Sequence, residues 1–346
     1  MNRNITTLFI TNIIIGTIIA ISSNHWFLIW IGLETNTLSI IPLLTFLQSP
    51  RNIEASIKYF LIQALAAATI LNSALINAWT NGSWLINTEF NEINCIIITG
   101  ALFLKLSLAP FHIWFPDVIS GINLLQGLLL TTWQKIAPLI ITLNIINTLN
   151  LNMILYCSIL SIIIGAWNGL NQTQTRKILA YSSISHIGWI TITGIFNQNA
   201  SIIMLLIYIT INTSIFLSLT TTNIKNIANI NKNNATWTAP TITLCILSLG
   251  GLPPLTGFLN KLISLNVLTQ NNSTLTTIPL IVGSLISLFF YLRISFNSNL
   301  SLFPQNALTI INTRNTTPSN TNTNSILITL ALNSIIAPPI LISILS

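Results

Sequence analysis

Charged residues are the scarcest component of this 346-residue sequence, and their scarcity excludes a soluble globular protein. Asp, Glu, Lys and Arg make up 5% of the residues, whereas 52% are hydrophobic and the mean hydropathy is +0.77. A soluble domain carries about 25% charged residues. Too few charges remain to cover a water-facing surface, so the composition predicts a membrane protein with several spans. The net charge of +7 then indicates loop residues that set topology rather than nucleic-acid binding.

Cysteine is also scarce, and its spacing excludes two common kinds of site. The three cysteines, Cys95, Cys157 and Cys245, are far apart and lie in or beside apolar runs. There is no Cys-x-x-Cys pair and no Cys/His spacing typical of a metal site, so we predict neither a disulfide framework nor a metal centre. The longest loop, 296–324, contains no glycine-rich phosphate loop. Asp, Glu, Gly and Val, whose codons all begin with G, are scarce together, a nucleotide bias that is typical of animal mitochondrial genes.

Long apolar runs are what the sequence has in abundance. A helix needs roughly 20 apolar residues to cross a bilayer, and runs of this length differ from the short alternating strands of a barrel. We therefore predict an all-α fold, a polytopic membrane helix bundle with about eleven transmembrane helices. The candidate spans are 5–21, 25–47, 56–79, 95–111, 122–146, 151–170, 177–196, 200–220, 239–269, 275–295 and 325–345.

The basic residues outside the spans segregate to one side of the predicted bundle. Nine lie at span ends or in loops, and with eleven alternating spans all nine fall on the same side. The opposite loops contain no lysine or arginine, and the loop 80–94 carries Glu89 and Glu92. The positive-inside rule then places the N-terminus on the inner side and the C-terminus on the outer side. The nine residues are Arg3, Arg51, Lys58, Arg176, Lys177, Lys225, Lys232, Arg293 and Arg314.

Four charged residues lie well inside apolar spans: Glu34, Lys105, Lys135 and Lys261. A charge at mid-bilayer costs roughly 3 kcal/mol on insertion scales, and such residues normally mark ion or proton pathways. A buried lysine whose charge is opposed by burial and favoured by an acid partner can take up and release a proton. The alternatives are a structural ion pair, or a lysine that extends to the membrane surface.

Two spans contain residues that break helices. The sequence SLGGLPPLTGFLNK, residues 248–261, places two glycines and two prolines inside the ninth span, and SLAP, residues 107–110, perturbs the end of the fourth. Broken helices at membrane depth are tolerated where they line a cavity. Each break falls in the fourth member of a set of five spans, which suggests two inverted five-helix repeats, 1–146 and 151–295, followed by a terminal helix at 325–345.

Two histidines are secondary candidates. His186 follows Ser182 by four residues and therefore shares its helical face, so it could extend a hydrated polar chain. His112 follows the proline break and could line a proton route from the inner side. The alternative for His186 is a hydrogen bond to a neighbouring helix, without a role in proton transfer.

Four strings carry a resemblance to a known family. The strings WIGLETNTLSI, LKLSLAPFHIWFPDVISG, RKILAYSSISHIGWI and GLPPLTGFLNK resemble conserved stretches of the antiporter-like membrane subunits of respiratory complex I. In that family, a glutamate on one helix pairs with a lysine on the first broken helix, a central lysine follows, and a further lysine lies on the second broken helix. Glu34, Lys105, Lys135 and Lys261 match these positions one by one.

The resemblance implies a membrane-arm subunit of NADH:ubiquinone oxidoreductase that translocates protons in the mitochondrial inner membrane, with the N-terminus in the matrix and the C-terminus in the intermembrane space. It implies no cofactor in this chain, because NADH, FMN, iron–sulfur clusters and ubiquinone belong to partner subunits. The partners are then other membrane-arm subunits and the lipid bilayer, and not nucleic acid. Two alternatives stay open: a subunit of a multi-subunit sodium/proton antiporter, which shares these motifs, and a scaffold subunit that pumps nothing.

Overall fold

The computed structural model describes residues 3–46, 48–86, 88–222, 238–253 and 255–300. Within these residues every regular element is a helix, which confirms the predicted all-α class. The helices are α1 (Arg3–Ser22), α2 (Trp26–Leu44), α3 (Pro50–Asn81), α4 (Glu92–Leu106), α5 (Trp114–Gly121), α6 (Leu124–Thr131), α7 (Trp133–Asn144), α8 (Leu151–Leu170), α9 (Thr175–Phe196), α10 (Gln198–Thr222), α11 (Thr238–Gly250), α12 (Thr256–Gln270) and α13 (Thr274–Leu300), with a short 3₁₀ turn at Ile146–Thr148.

Eight segments in the described residues are long and apolar enough to cross a membrane. They correspond to the predicted spans one to three, five to eight, and ten. The predicted fourth and ninth spans are absent from this set because each is interrupted: α4 ends at Leu106, and α11 and α12 share the ninth span. The predicted eleventh span, 325–345, lies outside the described residues.

The chain divides into two compact units, Met1–Ser161 and Ile162–Ser346. In the first unit α1 packs on α2, and α3 packs on both α4 and α5. The contact between α1 and α2 is made backbone to backbone: a Cβ added to Gly16 would lie 3.0 Å from the Gly32 carbonyl oxygen. Close approach of this kind is typical of membrane helices that meet at small residues.

In the second unit α9 is buried on nearly all sides and packs against α10 and α12. The sequence of α9 contains many hydroxyl side chains, and they can be buried because they form hydrogen bonds within the helix itself. Ser182, Ser183 and Ser185 each donate to a carbonyl oxygen three residues earlier, at 2.7 to 2.8 Å. Hydroxyls bonded in this way add little polarity to the helix surface, so α9 can occupy the centre of an apolar bundle.

Candidate proton-transfer site

Lys105 lies in the last turn of α4, where the helix stops short of the predicted boundary. We predicted a span to residue 111, but Ser107 adopts a left-handed conformation with φ 62° and ends the helix after Leu106. The last carbonyls of a helix carry a partial negative charge, which favours a cation at this end. The Lys105 side chain is buried, and its Nζ has no hydrogen-bond partner among the described residues.

Lys135 lies in the first turn of α7, beside a second helix break that the sequence did not predict. Span five was expected to be continuous, but α6 ends at Thr131 and α7 begins at Trp133. Lys135 is 2% exposed, and its Nζ lies 4.2 Å from the centre of the Phe115 ring. An ammonium group over an aromatic face is attracted by the ring quadrupole, most strongly where water is excluded. Phe115 therefore helps to hold the Lys135 side chain inside the bundle.

The two lysines line one cavity in the first unit. The cavity has a volume of about 10 Å³, which is roughly the space that a single water molecule requires. Trp114 and Phe115 of α5 form part of its wall. The cavity is therefore small enough to exclude bulk solvent and polar enough to hold an ordered water. Its other polar lining residues are Asn36, Thr37, Tyr59, Gln63 and Gln134.

A hydrogen-bonded amide pair orders part of this lining. The Gln134 amide nitrogen donates to Asn36 Oδ1 at 2.8 Å, and the Tyr59 hydroxyl donates to Gln134 Oε1 at 3.3 Å. These residues come from α2, α3 and α7, so the network ties three helices around the lysines. Buried polar groups satisfied by one another fix the geometry of a site, whereas unsatisfied ones would destabilise it.

Glu34 lies beside this cavity on α2 but does not line it. Its neighbours Leu33 and Thr37 do, and the Thr37 hydroxyl lies 3.5 Å from Glu34 Oε2. No direct hydrogen bond joins Glu34 to Lys105, because Lys105 Nζ has no hydrogen-bond partner among the described residues. The predicted pairing of these two residues therefore requires an intervening water or a side-chain rotation, and it stays a prediction.

Lys261 occupies the helix break of the second unit. Its Nζ donates to the carbonyl oxygen of Gly250, the last residue of α11, at 2.6 Å. Gly251 follows with φ 73°, and a Cβ there would lie 2.9 Å from both Cε and Nζ of Lys261. The break thus brings together a lysine and a carbonyl oxygen that has no partner within its own helix. The partial negative charge at a helix C-terminus favours such a contact with an ammonium group.

The two histidines lie in different surroundings. His186 is buried on α9, and its ring centre lies 5.7 Å from that of Tyr208, whose hydroxyl faces Ser183 and Asn212. His112 is buried in the segment between α4 and α5, and its Nδ1 has no hydrogen-bond partner among the described residues. The structure therefore gives His186 a polar neighbourhood, and it leaves His112 close to the first helix break.

Sequence reasoning missed the walls of the cavity. Asn36, Gln63 and Gln134 lie inside apolar spans, and an amide at such a position is a signal that we could have used. Phe115 and Tyr59 gave no signal of their own, because an aromatic residue in an apolar run is ordinary. Among the described residues, no group of His, Cys, Asp or Glu is arranged to hold a metal ion.

The all-helical fold and the buried lysines at helix breaks agree with the class that the four motifs resemble, the antiporter-like membrane subunits. The chain belongs to the family described as NADH:quinone oxidoreductase/Mrp antiporter, whose model matches residues 23–287. The match spans most of the described helices and includes all four intramembrane charges. It confirms the resemblance drawn from the four motifs.

Two relatives that are similar over most of this chain carry the same name. NADH-ubiquinone oxidoreductase chain 2 of Patiria pectinifera is 47% identical over 317 residues, which cover 91% of this chain and 89% of the relative. The protein of the same name from Symphalangus syndactylus is 44% identical over 306 residues, covering 88% of each chain. These identities confirm the predicted resemblance to a membrane subunit of complex I.

Solved structures show the same fold at lower identity. A chain of respiratory complex I from Thermus thermophilus superposes with a TM-score of 0.81 at 24% identity, covering 98% of this chain and 80% of that one. A chain of the Mrp complex from Dietzia sp. superposes with a TM-score of 0.75 at 16% identity, covering 86% and 60%. At these identities the two likenesses show the fold of this chain.

Proposed function

We propose that this chain is the chain 2 type of membrane subunit in an NADH:ubiquinone oxidoreductase and translocates protons through buried lysines. One observation carries the proposal: Lys105 and Lys135, on different helices, line the same small polar cavity. Two ammonium groups on one cavity repel each other, so a proton on one favours release from the other. A cavity with room for about one water supplies the bridge between them.

The charge of Glu34 sets the direction of the first transfer. When the carboxylate is ionised, it favours a protonated Lys105, and its neutralisation or movement favours passage of the proton to Lys135. The ring of Phe115 then stabilises the newly charged Lys135. Electron transfer in partner subunits would drive the cycle by changing the position or charge of Glu34.

Lys261 continues the pathway in the second unit. The Gly250 carbonyl holds its ammonium group at the helix break, and rotation away from that carbonyl would release the proton. His186 with Tyr208 offers a further polar step within this unit, and His112 offers one beside the first break. We assign both histidines a secondary role, as the sequence predicted.

The remaining parts of the proposal concern cofactors, partners and location. This chain carries no redox cofactor, and NADH, FMN, iron–sulfur clusters and ubiquinone are handled by partner subunits. Its partners are the other membrane-arm subunits and lipid. It lies in the mitochondrial inner membrane with its N-terminus in the matrix and its C-terminus in the intermembrane space. The two five-helix repeats, 1–146 and 151–295, would be inverted relative to each other in the membrane.

One contact supports the proposed topology. The Arg293 guanidinium donates to the Leu170 carbonyl oxygen at 3.0 Å, so the end of α13 lies beside the end of α8. The loop after α8 leads directly to Arg176 and Lys177 at the start of α9. Three of the nine basic residues therefore gather at one end of the second unit, as the positive-inside pattern requires.

Substitution of Lys135 tests the proposal. Lys135→Met keeps the apolar stem and removes the proton site, so NADH-driven acidification and coupled NADH oxidation should fall together while the complex still assembles. Lys135→Arg should fail as well, because a guanidinium does not release its proton. The matched control is Lys58→Met, which removes an exposed lysine that pairs with Glu54 at 2.6 Å.

Two rival functions make different predictions in the same preparation. A scaffold subunit would leave acidification intact in Lys135→Met vesicles, normalised to assembled complex. A sodium/proton antiporter subunit, which the likeness to the Mrp complex favours, would purify without redox subunits and would exchange protons for sodium in the absence of NADH. Acidification that requires NADH and is lost in Lys135→Met excludes both rivals.

A further inference from the structure

Asn12 places an amide on the outer surface of α1 near the centre of the membrane. The helix has 20 residues and is therefore about 30 Å long, close to the thickness of the hydrocarbon core, and Asn12 is at its middle. Its side chain is exposed and makes no hydrogen bond among the described residues. The hydroxyls of Thr7, Thr11 and Thr17 on the same helix each donate to a backbone carbonyl oxygen at 2.8 Å.

A groove between α1 and α2 lies beside this amide. Its volume is about 330 Å³, and it is lined by Asn12, Ile15 and Gly16 of α1 and by Thr35 and Leu38 of α2, among others. A Cβ added to Gly16 would lie 2.7 Å from the Thr35 hydroxyl oxygen, so the two helices are already in close contact along the floor of the groove. The groove is therefore a fixed feature of the helix pair rather than a gap that closes when the helices move together.

The chemistry of the groove selects its occupant. A lipid acyl chain would fill the apolar part but offers no hydrogen-bonding group at this depth, and water is excluded from the hydrocarbon core. A membrane-spanning helix provides apolar side chains, and its serine, threonine or amide side chains form hydrogen bonds across helix pairs. Such a helix satisfies both the shape of the groove and the Asn12 amide.

We propose that the α1–α2 groove is the docking site of a transmembrane helix from a neighbouring subunit, which presents a hydroxyl or amide side chain to Asn12. The groove shares no residue with the cavity that contains Lys105 and Lys135. This surface is therefore an assembly site, separate from the proton path, and the two can be tested independently.

Photo-crosslinking in the assembled complex tests the docking site. A photo-reactive residue in place of Ile15 lies in the groove, and one in place of Ile10 lies on an exposed part of α1 outside the groove. After illumination and digestion, mass spectrometry should show the groove probe attached to a spanning peptide of another subunit, within one helical turn of a hydroxyl or amide residue. The control probe should yield lipid adducts.

The contribution of the amide is measured in the same experiment. Asn12→Leu should lower the protein crosslink from the groove probe by about three- to tenfold, as expected for loss of one interhelical hydrogen bond, and Asn12→Gln should restore part of it. Lipid adducts alone from the groove probe, or an equal crosslink yield in Asn12→Leu, would overturn the proposal. If Asn12→Leu fails to assemble, the probe in the otherwise native chain still decides between lipid and helix.

Discussion

Gly251→Ala is a sharp test of the Lys261 contact, because the chain offers a control with the same backbone strain. Gly251 has φ 73°, and a Cβ there would meet the end of the Lys261 side chain at 2.9 Å. Gly82 has φ 69° and no atom within 4 Å of an added Cβ. Both substitutions therefore force alanine into the left-handed region, but only Gly251→Ala also displaces a lysine.

The magnitude follows from these two contributions. A left-handed conformation costs an L-residue about 1–2 kcal/mol, and this cost is common to both variants. Moving the ammonium group lengthens its 2.6 Å hydrogen bond to the Gly250 carbonyl oxygen. A hydrogen bond to a charged group contributes about 1.5–3 kcal/mol, so the bonded orientation of Lys261 should become at least about tenfold less populated. Because the obstructed group is the end of a flexible side chain, the bundle itself should still form.

The assay is NADH-driven acidification in sealed vesicles, normalised to assembled complex. Gly82→Ala should pump normally, and Gly251→Ala should assemble to the same extent while its acidification and coupled NADH oxidation fall severalfold. Equal pumping by the two variants would refute the role of the helix-end carbonyl in positioning Lys261. A failure of Gly251→Ala to assemble, with Gly82→Ala normal, would show that the contact is structural.

Two further predictions concern the wall of the cavity and the topology. Phe115→Leu removes the aromatic ring beside the Lys135 ammonium group. The attraction between ring and ammonium is about 2 kcal/mol when desolvated, so pumping should fall by up to about thirtyfold. The control Phe103→Leu, at another buried aromatic residue, should leave pumping unchanged, and equal effects of the two substitutions would contradict a specific role of the Phe115 ring. Side-specific labelling of cysteines in Asn91→Cys and Arg314→Cys should report opposite faces of the membrane, and labelling from one face would disprove the eleven-span topology.

Sequence analysis predicted the features that carry a large local cost in free energy. A lysine in an apolar run, or a glycine and proline cluster within a span, is so unfavourable in an ordinary membrane helix that a special environment must exist. Lys105 and Lys261 lie at helix breaks, as their neighbouring sequences 107–110 and 248–261 indicated. The length of the apolar runs alone was sufficient to predict the eight long apolar segments.

The features that sequence analysis missed depend on contacts or on local competition. The break between α6 and α7 contains neither glycine nor proline; the Thr131 and Thr132 hydroxyls and the Thr132 N–H all bond to the Leu128 carbonyl oxygen. Hydroxyls that compete for a helix carbonyl bend helices. Phe115 reaches Lys135 only because α5 folds as a separate short helix after the first break, which no periodicity in the sequence indicated.

The central claim is that Lys105 and Lys135 act in one proton path through their shared cavity, and a double-mutant comparison tests it most directly. The rate of NADH-driven acidification in sealed vesicles is measured for Lys105→Met, Lys135→Met and the combined variant, each normalised to assembled complex. Residues that act as a unit give non-additive losses, so the combined variant should lose no more pumping than the more damaged single variant. Losses that multiply across the two substitutions, or full pumping in either single variant, would contradict the shared path.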